Sequence, residues 1–221
     1  MIDNLSVIMK SRIFAGMKEE EVDAVLSCLS ARQESYNKNQ FVLHVGETVR
    51  ATGLVISGSV HIIKEDFWGN RSILAKAEAG QLFGEVYACV QSEALEVSVI
   101  ASEPVQVLFL DMARVLRVCS SACEFHTVLI HNLMQVLAHK NLMLTRKIEH
   151  LAQRTTREKL LSYLSGESLR NGSAEFDIPY NRQQLADYLA VDRSAMSSEL
   201  SKMSAEGLIE YNKNHFILMG N

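Results

Sequence analysis

Arg193, Ser194, Ser197, Ser198 and Lys202 fall on one face of a helical stretch near the C-terminus. These residue types donate hydrogen bonds to base edges and phosphates. A guanidinium offers two parallel N–H groups that match guanine O6 and N7, and serine and lysine reach bases or phosphate oxygens. The opposite face is apolar, with Met196, Leu200 and Met203 at i, i+4 and i+7. A helix buried on one side and studded with small polar groups on the other suits the DNA major groove. No catalytic pattern competes with this reading. The chain holds no GxSxG, P-loop, HExxH or dinucleotide fingerprint, and its seven histidines have no obvious carboxylate partners, so an enzyme is not expected.

The reading face needs elements to hold it. Asn181 is a good N-cap, and Gln184 completes a capping-box pair three residues on. Leu185 and Leu189 make an apolar i, i+4 pair, with Ala186 leaving room for a close helix crossing. Ala190-Val191-Asp192 forms the turn, and Asp192 caps the second helix. This spacing alone equally describes a helical hairpin facing water. The next residues favour the DNA reading. Gly207–Tyr211 and His215–Leu218 are short apolar strands around Asn212-Lys213-Asn214, a hairpin pattern with Asn in the turn. Two helices followed by a hairpin make a winged helix, with Lys213 at the wing tip placed for a phosphate. A further helix, Glu158–Leu169, leads in through a loop over 165–174.

Charge limits how this surface could work. The net charge is −4, and residues 154–221 hold eight Lys/Arg against nine Asp/Glu. Nonspecific DNA affinity grows with the phosphates neutralised. Weak nonspecific binding is therefore expected, with positive charge focused at Arg182, Arg193, Lys202 and Lys213. The acidic balance equally suits a ligand sensor whose winged helix makes protein rather than DNA contacts. No apolar run approaches the ~20 residues of a membrane span. The N-terminus lacks a signal-peptide pattern, so a cytoplasmic protein with no membrane partner is expected. Four cysteines without a CxxC pair read as reduced thiols. Cys119, Cys123 and His126 fall at i, i+4, i+7 and could line one helix face as metal or redox ligands. Structural zinc wants four ligands at tighter spacings, so no metal is expected.

Upstream, residues 1–35 read as helical, with Val22, Val25, Leu26 and Leu29 at apolar spacing. From 36 to 111 the pattern becomes short β-rich runs: Gln40–Leu43, Leu54–Ile56, Val60–Ile63, Ser72–Leu74, Val97–Ile100 and Val105–Leu110. Turns are expected at Gly46, Gly53, Gly58, Gly69-Asn70 and Gly80. Many short strands at regular spacing suggest a sandwich, jelly roll or barrel. A long helix then runs from Ser120 to Leu151 without Gly or Pro. Ile130, Met134, Leu137, Asn141, Leu144, Ile148 and Leu151 lie on it in steps of 4 and 3. Such a seam asks for a partner helix, which a parallel homodimer supplies, and a polar Asn141 on it would fix register. Packing of the helix on its own β-domain is the other use of its apolar faces.

The motifs His44-Val-Gly-Glu47, Gly58-Ser-Val60 and Gly80-Gln-Leu-Phe-Gly-Glu85, together with the helix–turn–helix, make the chain similar to the Crp/Fnr family of bacterial transcription regulators. The resemblance covers nearly the whole chain. It implies an α+β fold in three parts: helices and a β-roll (jelly-roll-like) sensor domain of the cyclic-nucleotide-binding type over 1–119, a dimerisation helix over 120–152, and a winged helix–turn–helix over 153–221. It also implies a dimer on double-stranded DNA, with RNA polymerase as a further partner. In such proteins an effector brings the two DNA-binding domains into register with successive major grooves.

The resemblance is also informative where it fails. Family members that bind cyclic AMP match Gly84 and Glu85, where a backbone N–H and a carboxylate meet the phosphate ring and the ribose. They add an Arg-Ser pair about ten residues later, and here those positions are Leu95 and Glu96. No Arg occurs between Arg71 and Arg114. The adenine-contacting Thr-Ser pair of the long helix falls on Met143 and Leu144. An effector other than cyclic AMP is therefore expected, either an apolar or aromatic small molecule or none. The N-terminal cysteine cluster of iron–sulfur members is reduced to Cys28. Haem would have to rely on His44 or His61, so neither cofactor is expected. On the DNA side, Arg182 and Gln183 match family phosphate contacts. Relatives commonly carry a second Arg where Ser198 stands, and Gly where Ala190 stands.

Overall fold

A computed structural model describes residues 5–69, 71–115 and 124–219. The chain divides into two compact units, Met1–Ala138 and His139–Asn221.

The first unit opens with α1 (Leu5–Lys10), a 3-10 turn (Arg12–Phe14) and α2 (Glu19–Cys28). Val22, Val25, Leu26 and Leu29 are buried as their spacing predicts. The helical reading of residues 1–35 runs too long, however. The chain turns at Ser30, whose φ is 51°, and enters β1 (Arg32–Tyr36). Arg-Gln-Glu-Ser-Tyr carries no apolar alternation, and it becomes a strand through pairing with a distant partner.

That partner is β8 (Val105–Asp111), whose other neighbour is β3 (Ala51–Ser57). With β6 (Leu82–Phe83) they form an antiparallel sheet ordered β1-β8-β3-β6. A second sheet takes β2 (Phe41–Leu43), β7 (Ser98–Ala101), β4 (Ser59–Glu65) and the edge strand β5 (Arg71–Glu78). Each apolar run read from the sequence lies in or overlaps one of these strands. β3 is buried from Thr52 to Ile56, so it reads as a continuous apolar run rather than an alternating one.

Gly46, Gly58, Gly69 and Gly80 have positive φ, as turn residues should. Gly53 does not sit in a turn. It is inside β3 opposite Phe83, and a Cβ there would come within 2.1 Å of the Phe83 ring. The residue is small because a neighbour's ring covers its backbone. Asn70 lies outside the described residues.

α3 (Glu85–Val90) follows β6, and α4 (Met112–Val115) follows β8. The long helix α5 (Glu124–Leu151) spans 28 residues. In the first unit, its Leu129, Leu133 and Val136 join the β-roll core. Asn132 is buried and donates to the carbonyls of Ile13 and Ala15 at 3.1 and 2.9 Å. Asn132 is thus buried within the chain, while Asn141, on the proposed seam, is exposed in the single chain. Part of the helix thus packs on its own β-domain, while other apolar residues of the seam stay open in the single chain. Ile130 and Leu137 are half-buried, and Met134, Leu144 and Ile148 lie 65%, 61% and 65% exposed in the single chain.

In the second unit, α6 (Thr156–Asn171) starts at a capping box between Thr155 and Glu158 and ends at Gly172 in left-handed geometry. The loop expected over 165–174 is therefore mostly helix. Ser165 and Gly166 are weak helix formers, but α6 buries Leu160, Tyr163 and Leu164 in the core of this unit, and tertiary packing outweighs propensity. β9 (Glu175–Asp177), unseen in the sequence, adds a third strand to the wing. The wing sheet is ordered β10 (Ile209–Asn212), β11 (His215–Leu218), β9. Between lie α7 (Arg182–Leu189) and α8 (Arg193–Ala205).

Candidate nucleic-acid interface and effector pocket

The helix pair is built as its residues dictate. The Asn181 side chain accepts from Gln184 N at 3.0 Å, and the Gln184 side chain accepts from Asn181 N at 2.9 Å. Ala190 takes left-handed geometry, φ 49° and ψ 58°, which an alanine adopts only at a cost. Asp192 accepts from Ala195 N at 2.9 Å and from the Ser194 hydroxyl. Those bonds, the hydroxyl first, hold its carboxyl below the usual range. Met196, Leu200 and Met203 are fully buried in a core shared with Leu160 and Leu164 of α6 and Phe216 of the wing.

The outer face of α8 is presented to solvent. The Arg193 side chain is exposed, with no hydrogen bond or ion pair among the described residues. Ser198 and Lys202 are exposed as well, with Lys202 3.4 Å from Glu199. Ser194 is engaged with Asp192, and Ser197 donates to the Arg193 carbonyl at 2.9 Å. Lys213 stands at the wing tip with φ 54°.

Arg182 is placed differently. Its guanidinium lies 4.7 Å from the Tyr211 ring and 5.2 Å from Phe216, and Nη2 is buried without a hydrogen-bond partner. Burial draws its pKa down, although an arginine stays charged. Gln183 donates to Asp187 at 2.8 Å. Two further cations, unremarked in the sequence, also point inward. Lys159 donates to the Leu189 carbonyl at 3.1 Å and lies 3.5 Å from that of Ala190, closing the C-terminus of α7. Arg157 donates to Glu199 at 3.2 Å and forks onto both oxygens of Glu206, which raises its pKa, Glu206 most and Glu199 next. Partners 30 to 49 residues away leave no local signal in the sequence.

The model of the cyclic nucleotide-binding domain matches residues 33–122, and that of the Crp-like helix-turn-helix domain matches residues 158–219. The chain belongs to the Crp/Fnr family. The cyclic AMP receptor protein of Thermus thermophilus is 26% identical over 200 residues, covering 90% of this chain and 88% of the relative. The fold is also that of the Thermus thermophilus catabolite activator protein, with a TM-score of 0.50, 24% identity, and 95% and 94% of the two chains covered. CLP of Xanthomonas campestris, described as a c-di-GMP-responsive global regulator, gives a TM-score of 0.56 at 20% identity over 92% and 100% of the two chains.

In this Crp-like regulator the cyclic-nucleotide-type domain carries a cavity of about 110 Å³ lined by Ile62, Gly84, Glu85, Val86, Tyr87, Leu95, Val97 and Val99. That is well under the roughly 300–1,000 Å³ of ligand clefts. Gly84 has φ 72° and caps α3, a left-handed position that favours glycine. Glu85 is 4% exposed and is the one charged residue of the lining. Leu95 is buried. Its N–H donates to the Glu47 carbonyl at 2.9 Å, and its carbonyl accepts from Gly46 N at 2.7 Å. The structure thus brings Gly84, Glu85 and Leu95 together, whereas Glu96 is exposed and does not line the cavity. Met143 and Leu144 belong to the second unit and are exposed there. Neither His44, stacked on Phe41, nor His61 lines the cavity.

His126 is buried with Nε2 3.7 Å from the Cys28 sulfur. Cys119 and Cys123 lie outside the described residues. Among the described residues no group of three or more His, Cys, Asp or Glu is arranged to hold a metal, and no helix is long and apolar enough to cross a membrane.

Proposed function

We propose that the protein acts as a homodimer that reads a pseudo-palindromic DNA site, under an effector other than cyclic AMP. The observation that carries this reading is the first turn of α8. Arg193 stands free and exposed there, on a helix fixed by a buried stripe and flanked by a wing. A dimer would place two such helices about one helical turn of DNA apart. Met134, Leu144 and Ile148, apolar and exposed on one helix, support the dimer, because large exposed apolar side chains in a row ask for a partner. By family resemblance, RNA polymerase is a further partner. Lys202 and Lys213, and to a lesser degree Ser194, Ser197 and Ser198, would position the helix on phosphates and bases. Arg182 and Gln183 would serve α7 more through the orientation of its first turn than through free charge.

The effector reading rests on the lining of the cavity. A cyclic phosphate needs a cation, and this lining offers Leu95 and a carboxylate instead. An uncharged, largely apolar effector fits it better. Selection on random duplexes should return a symmetric site with a G·C pair at corresponding positions of each half. A failure to enrich any sequence would rule out the DNA reading. Thermal shift with cyclic AMP, cyclic GMP and c-di-GMP should give no saturable stabilisation, and a strong saturable shift with any of them would rule out the effector reading.

A further inference from the structure

The reading helix of this domain carries carboxylates beside its cations. Arg193 and Lys202 are offset by Glu199 and by Glu206 at its C-cap. Left open, those carboxylates would lie on an element meant to approach phosphate, within the ~8 Å over which charges act at physiological salt. They are not left open. Arg157, in the first turn of α6, forks onto Glu206 and reaches Glu199 with a third bond. We propose that Arg157 is a positioning residue for DNA reading, holding α8 in its roll against α6 and withdrawing both carboxylates from the field that phosphate meets. This rests on the DNA-binding reading above.

Two features of the geometry support a positioning role. Glu199 and Glu206 are seven residues apart, so they share a face about 10 Å long. A planar fork that grips two points of one face resists rotation of the helix about its axis. The buried stripe of Met196, Leu200 and Met203 fixes which face of α8 points inward, but methionine adapts its shape, so small changes of roll are left for the fork to resist. The Arg157 and Glu199 side chains are also only 33% and 17% exposed, so salt screens their pairing less than that of a surface pair. Lys159 holds the α7–α8 turn from the same helix, leaving the roll of α8 as the freedom that Arg157 removes.

The test is equilibrium binding of full-length protein, below the melting temperature of each variant. The ligands are the selected site, the same site with the Arg193-facing base pair changed symmetrically, and a scrambled duplex. Arg157→Ala should bind the selected site about tenfold or more weakly and lose most of its discrimination against the changed base pair, on the scale of one lost base contact. Adding Glu199→Gln and Glu206→Gln to that variant should restore affinity for the scrambled duplex but not discrimination, separating charge from geometry. Arg157→Lys, which keeps the charge without the fork, should do the same. If folded Arg157→Ala or Arg157→Lys keeps both affinity and discrimination within about twofold of the parent, the proposal is overturned while the DNA reading stands. If the parent itself selects no site, both fall together.

Discussion

Arg193 makes no contact that the fold depends on, so its removal isolates recognition from stability. Arg193→Ala should shift unfolding free energy by no more than about 0.5 kcal/mol. It should cost ~1–3 kcal/mol of discrimination per subunit and relax one symmetric position of the site. Denaturant unfolding alongside binding to base-pair variants checks both halves. Ala190 carries the opposite kind of information. It holds a left-handed geometry that favours glycine, so Ala190→Gly should stabilise the second unit by up to about 1 kcal/mol, read from its melting midpoint. Both residues were legible in the sequence, because caps and turns are local. Arg182 was not. The sequence marks it as a cation at a helix start, but the rings that take up its head group, Tyr211 and Phe216, come from the wing some 30 residues later.

Elements were readable where their pattern was self-contained. The capping box of α7 and the apolar runs of β3 and β8 name themselves. β1, β6 and β9 do not, because each is short or polar and exists through its partner strand. Gly53 shows the same limit: its type suggests a turn, while its role is to admit the Phe83 ring. Gly53→Ala should therefore destabilise the β-roll by ~1–3 kcal/mol, seen as a lower thermal midpoint, with Phe83→Leu partly compensating. The end of α5 offers a pH-dependent counterpart. His150 is buried beside Tyr163, with Nδ1 2.8 Å from the Ser162 hydroxyl, and α6 packs its Gly166 against the ring. Burial first, then the Arg170 charge, pull its pKa below 6.5, against weaker opposing effects of Glu149 and Glu167. The unfolded chain therefore takes up the proton first. Stability should be full above pH 6.5 and fall as pH drops from there towards the folded value, then level off. His150→Phe should remove that component from a pH series of unfolding curves, and an unchanged slope would refute it.

For the whole molecule, the proposed dimer makes the exposed stripe of α5 the feature that would let two reading helices act together. Ile148→Asp should leave far-UV circular dichroism unchanged, convert the protein to monomer in sedimentation, and abolish tight binding to the selected site while sparing weak binding to a half-site. The family was legible because motif and periodicity cover most of the chain, whereas the division into two units, which falls inside α5 between Ala138 and His139, was not: the sequence read as three parts. The small cavity was legible only as a loss of expected groups, since its lining is assembled from β4, β7 and α3 with no common sequence pattern. The inward-turned cations carry a consequence for life on a chromosome. Arg157, Lys159 and Arg182 are committed within the second unit, so contact with off-site DNA releases few counterions. A genome presents on the order of 10⁶–10⁹ competing sites, a sponge that soaks up more basic domains. On the proposed reading this protein would stay largely free of that sponge, and occupancy of its own site would track the number of dimers made rather than the amount of DNA around them.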